Sequence, residues 1–122
     1  MKKLTILLVL VLGSLTVFGQ DFKSIVSSIE KGDVASIEPM LEDMIDYCFN
    51  DDQDLLEKLE FVSKLKTAIN IIQPKSSEIV HVADSKGEAK YAVAKIVGAS
   101  ESYRMFVYTE GDKIIEIRFN KE

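Results

Sequence analysis

One cysteine, one histidine and too few cations set the first limits on this chain. Cys48 has no second thiol to pair with, so no internal disulfide can staple the fold. Free cysteine is among the most buried residue types, and a small apolar core side chain is its expected role. As a nucleophile Cys48 would need a base, yet His81, the single histidine, stands far off in a strand-like run. Zinc asks for three or four ligands, which one His and one Cys cannot supply. Asp51, Asp52 and Asp54 suggest calcium, but the Gly and the closing Glu of an EF-hand loop are missing at their offsets, so a solvated acidic loop is expected. There is no phosphate-cradling glycine loop, serine elbow or cysteine pair. No metal, cofactor or catalytic residue is therefore expected. Fifteen Lys and Arg face twenty Asp and Glu, a formal charge of −5, which argues against nucleic acid and anionic membranes as partners.

Long hydrophobic runs are also scarce. Met1-Lys2-Lys3 leads into an apolar stretch over residues 4–18, broken at Gly13-Ser14. A charged start, a short apolar middle and a small residue at Gly19 read as a secretory signal peptide over 1–19. The stretch is short of the roughly 20 apolar residues that span a bilayer. The expectation is an exported protein, periplasmic or extracellular, with no membrane anchor after cleavage. Residues 20–122 then form a single domain of formal charge −7, since Lys2 and Lys3 leave with the signal. A domain of that size buries roughly 60–70% of its unfolded surface, enough for one modest core.

What remains is patterned. Asp21 can cap a helix carrying Phe22, Ile25, Val26 and Ile29 at helical spacing, with Gly32 at its end. Asp33 can cap a second, with Val34, Ile37 and Leu41 inward and a kink or early stop at Pro39. Residues 45–49 suit a short strand. Leu55, Leu59, Val62, Leu65, Ile69 and Ile72 lie near one face of the strongest helical stretch, which Pro74 closes; its first turn reads either as helix or as extended chain. After Pro74 the period changes to two. Residues 78–83 alternate, 84–87 turn, 88–97 form a long strand, and 98–102 connect into a closing hairpin. Helices followed by four consecutive strands give an α+β fold, with helices packed on one side of a curved antiparallel meander and a short first strand beside it.

In the hairpin, Gly111-Asp112 suits a two-residue type II′ loop. That loop places Tyr108 opposite Ile115 and Phe106 opposite Ile117. Phe106, Tyr108, Ile115, Ile117 and Phe119 then share an apolar face expected to cover the core. The opposite face is mixed. Its Tyr103, Met105, Val107 and Ile114 offer a surface through which two copies can pair.

Lys90-Tyr91-Ala92-Val93-Ala94, the Tyr103-Arg104 strand opening and Ile114-Ile115-Glu116-Ile117-Arg118-Phe119 together resemble a family of small exported bacterial proteins known only as a domain of unknown function. That family belongs to the nuclear-transport-factor-2-like, or cystatin-like, group, whose helices and strongly curved sheet form a cone. The resemblance implies the cone fold and assigns no catalytic residue. The same fold hosts enzymes and binding proteins alike, so it is poor evidence for activity. Asp46 lies about where the base of a cone-cavity isomerase falls, but Phe22 stands where a tyrosine is wanted. Tyr91 and Tyr108 can line a cavity mouth. These three are the candidate ligand-binding residues. The expected function is a non-catalytic exported binding or interaction module, holding a small apolar ligand or dimerising through its sheet; the alternative is a lyase or isomerase working in the cone.

Overall fold

The structure, a computed structural model, describes residues 22–84 and 87–122. The expected signal peptide, the Asp21 cap and the Ser85-Lys86 part of the turn lie outside the described residues. Residues 22–31 form helix α1. It ends at Gly32, where the Asp33 N–H reaches the Ser28 carbonyl at 2.8 Å. Helix α2 is a single turn, Val34–Ile37, followed by a 3₁₀ turn, Glu38–Met40. Pro39 sits in that turn and stops the helix, because its ring cannot continue the ladder.

Strand β1, Leu41–Phe49, begins four residues earlier than the pattern suggested. β2, Asp52–Glu57, folds back on it, so the ambiguous stretch is extended and α3 starts only at Lys58. Leu55 and Leu59 consequently leave the buried helical stripe, with 61% and 78% of their surface exposed. Phe61, Val62, Leu65, Ala68 and Ile72 carry the buried face of α3, Lys58–Ile72. Gln73 closes α3 in the left-handed region (φ 51°), and Pro74 opens β3, Pro74–Asp84. β4, Ala89–Gly98, β5, Ser102–Glu110, and β6, Lys113–Lys121, complete the chain.

The strands form one six-stranded sheet in the order β2-β1-β6-β5-β4-β3. The meander from β3 to β6 is antiparallel, whereas β1 joins β6 in parallel, so the sheet is mixed. Helices cover one face. There Phe61, Phe119, Leu65, Ile25, Ile45 and Ile117 are fully buried.

The turn between β5 and β6 forms as expected, with Gly111 at φ 62° and Glu110 opposite Lys113. Beyond it the expected register fails. Thr109 faces Ile114, but Tyr108 faces Glu116, so Ile115 is an extra residue in β6. A β-bulge of this kind reverses the alternation past it. Ile114, Ile117 and Phe119 therefore all point at the helices, together with Tyr103, Met105, Val107 and Thr109 of β5. Phe106 and Ile117 lie on opposite faces of the ribbon, with Phe106 and Tyr108 on the outside. Tyr103, Met105, Val107 and Ile114 are at most 6% exposed and cannot form the pairing surface expected of them.

Candidate functional site

The cone is packed. Its interior is filled by the isoleucines, leucines and phenylalanines of the core, and at its mouth Phe22, Ile25, Met40 and Thr109 leave a cavity of about 20 Å³. That is room for about one water. Thr109, the buried polar side chain there, turns its hydroxyl toward the Lys90 carbonyl. Asp46 does not enter the cone. Its neighbours Ile45 and Tyr47 are buried on the helix side, so Asp46 points outward, where its Oδ1 accepts a hydrogen bond from Gln53 Nε2 at 3.2 Å. Tyr91 and Tyr108 stand on the same outer face, away from the mouth.

The strand registers arrange this outer face in rows. One row runs Leu55, Asp46, Glu116, Tyr108, Tyr91, Ala83 across all six strands. The next runs Gln53, Cys48, Arg118, Phe106, Val93, His81. At the centre, Arg118 Nε donates to Glu116 Oε2, and that hydrogen bond raises the guanidinium above its usual range. Beside the pair is an aromatic cluster. Tyr91 stacks on Tyr108 with centroids 5.4 Å apart and on Phe106 at 5.6 Å, and His81 closes on Tyr91 at 5.9 Å. The rings of Tyr91, Tyr108 and Phe106 are each half-buried. The bulge at Val80 puts His81 on this face and Ile79 on the other, where simple alternation had them together.

The far end of the outer face is also apolar: Met44 and Leu55 are 44% and 61% exposed. A third row, Asn120, Arg104, Lys95, Glu78, carries most of the positive charge, with Glu122 bridging Arg104 at 3.1 Å and Lys95 at 3.8 Å. Cys48 is buried within the second row, its Sγ donating to the Asn50 carbonyl. Among the described residues, no group of three or more His, Cys, Asp or Glu is placed to hold a metal ion. Nor is any described helix long and apolar enough to cross a membrane.

Two features escaped the sequence reading. One is an open cleft of about 680 Å³ between α1 and β3, lined by Lys23, Ser24, Val26, Ser27, Ser77, Glu78 and Ile79. Its two walls, residues 23–27 and 77–79, lie 50 or more positions apart in the chain, so no spacing rule brings them together. The other is Tyr47, whose hydroxyl is pushed up to about 12, first by burial and then by the Asp52 carboxylate and Cys48. An unfolded tyrosine titrates near 10. Below that pH both states keep the proton and stability is unaffected. Between about pH 10 and 12 the unfolded chain loses its proton while the folded chain retains it, so stability falls as pH rises. Denaturant titrations across this window should show a shallower alkaline loss for Tyr47→Phe than for the parent. Superimposable curves would show that this burial costs the phenolate nothing.

A comparison with curated proteins finds no match to the chain. Among solved structures, the chain is similar to a DUF4783 family protein from Bacteroides uniformis, with a TM-score of 0.74 at 13% identity, covering 82% of this chain and 95% of that one. A DUF4783 family protein from Bacteroides ovatus also gives 0.74, at 11% identity, over 80% and 92% of the two chains. An NTF-2 like protein of unknown function from Silicibacter pomeroyi gives 0.64 at 12% identity, over 90% and 97%. At such identities these likenesses show the fold, which is nuclear-transport-factor-2-like. Residues 22–120, nearly all of the described chain, match the model of the domain of unknown function DUF4783, and the protein belongs to that family.

Proposed function

We propose that this protein is a non-catalytic interaction module whose working surface is the outer face of the sheet, on which two copies pair. The observation that carries this reading is the aromatic cluster of Tyr91, Tyr108 and Phe106, stacked outside a cone whose interior is already filled. Aromatic side chains are favoured at interfaces because they offer large apolar area with few torsions to immobilise. The charge pattern suits a second copy. Asp46 and Glu116 occupy one row, and Arg104 and Lys95 lie two rows along the strands. A two-fold axis through the intervening row sets the basic row of each copy over the acidic row of the other, which is the self-complementarity an isologous interface needs.

Light scattering of the purified protein should give the mass of a dimer. Phe106→Glu, which sets a carboxylate in the middle of the cluster without touching the core, should give the mass of a monomer with an unchanged circular dichroism spectrum. A parent protein that stays monomeric at high concentration would remove this reading.

A further inference from the structure

The two edges of the sheet are unlike. β2 carries Asp52, Asp54 and Glu57, and charge of one sign along an edge repels an incoming strand. β3, the other edge, pairs among the described residues only with β4. Its own guards are Pro74 at its first position and the bulge at Val80. Between them lie residues 75–79, whose register with β4 shifts at Lys75 and then runs regularly over Ser76, Ser77, Glu78 and Ile79. Along such a run backbone N–H and C=O groups point away from the sheet, and an extended chain is what satisfies them in series. This run borders the cleft against α1, which is tied to it at one end where Ser77 Oγ donates to Glu30 Oε1 at 2.5 Å.

We propose that this cleft receives an extended segment of another polypeptide as a seventh strand, paired to the edge at residues 75–79 and covered by α1. The walls specify its side chains. Val26 and Ile79 make an apolar floor, which takes a branched apolar residue. Lys23 lies one turn of α1 from Val26, about 5 Å along the axis. It is exposed and makes no ion pair among the described residues. Alternate residues of a strand are about 7 Å apart and point the same way. A carboxylate two positions from the apolar residue therefore falls within reach of Lys23. The recognised sequence thus holds a branched apolar residue with Asp or Glu two positions away, in the order set by the direction of the added strand. The bulge at Val80 limits the pairing to a short run, which favours a peptide over the edge of a second copy. This site shares only Glu78 with the outer face and stands or falls independently of pairing there.

Phage-displayed random dodecapeptides panned on the protein supply the probe, with the Ser27→Arg variant as counter-bait. Ser27 is half-exposed on the α1 wall, so the arginine fills the cleft without entering the core. Enriched peptides should pair a branched apolar residue with an acid two positions away, slow amide exchange at residues 75–79, and lose affinity about tenfold or more on Ser27→Arg, with Lys23→Glu giving a comparable loss. Phe106→Glu should leave their affinity unchanged. Three results overturn the proposal: no peptide enriched over the counter-bait, enriched peptides that leave the 75–79 amides unprotected, or protection of those amides that rises with protein concentration in the absence of peptide.

Discussion

Phe61→Ala is expected to cost about 3–5 kcal/mol, the range for emptying a fully buried aromatic site. Phe61 has no exposed surface and meets Tyr47 edge to face, centroids 6.0 Å apart at 83°. This contact fastens α3 to β1, and Leu65 and Ile45 of the same two elements are themselves fully buried. Alanine leaves a void that backbone on neither side can collapse into. Small domains are stable by only about 5–15 kcal/mol, so the loss is a large share of the whole. At roughly 4–8 °C per kcal/mol for this size, calorimetry should show the Tm falling by about 12–40 °C. Leu59→Ala, two residues earlier in the same helix, removes a side chain that is 78% exposed and should move stability by no more than about 0.5 kcal/mol. Equal, small shifts for the two variants would mean that α3 does not pack as described.

Gly98→Ala should be nearly as damaging, for the opposite reason. A methyl group at Gly98 would lie 2.4 Å from the Ile72 carbonyl oxygen and 2.7 Å from the Glu101 carbonyl oxygen. Both are backbone atoms and neither can swing aside. They are also already committed: the Ala99 N–H donates to Ile72 O at 3.2 Å, and the Gly98 N–H to Glu101 O at 2.9 Å. The first docks the end of α3 on the connection between β4 and β5, and the second closes that connection on itself. Relieving the overlap means breaking one or both, at a cost of about 2–3 kcal/mol or more. Urea denaturation should report a lower midpoint with little change in slope. A neutral Gly98→Ala would show that α3 sits farther from the sheet.

The parts of this fold that could be read from sequence are those governed by neighbours in sequence. Gly32 and Pro74 end their helices because the backbone chemistry of each is local. Gly111 sets the last turn for the same reason. The misread parts depend on distant partners. Ile115 is one extra residue in an otherwise regular alternation, and only the competition for the core between Ile114 and the Ile117–Phe119 pair reveals it. β5 offers two apolar faces of nearly equal quality, so its own sequence does not say which meets the helices. β2 takes its conformation from β1, and the leucines at 55 and 59 mimic a helical stripe that tertiary pairing overrides. The site followed the same divide. Tyr91 and Tyr108 do stand together, as cross-strand neighbours in a legible hairpin ladder. Which side of the sheet they occupy, and that Asp46 shares it, followed from the hidden bulge and from the β1–β6 pairing.

That last pairing has a consequence for the order of assembly. β6 ends the described chain, yet it lies in the interior of the sheet, between β1 and β5. Until its residues are available, the β1–β2 hairpin has no further strand to join, and the meander from β3 to β5 has no strand linking it to that hairpin. The chain must loop back over 70 positions to bring residues 46–49 beside 116–119, and closing so long a span is slow. A chain stopped short of Lys113 would retain its helices' sequences and five of its six strands, but as two halves with no seam to join them.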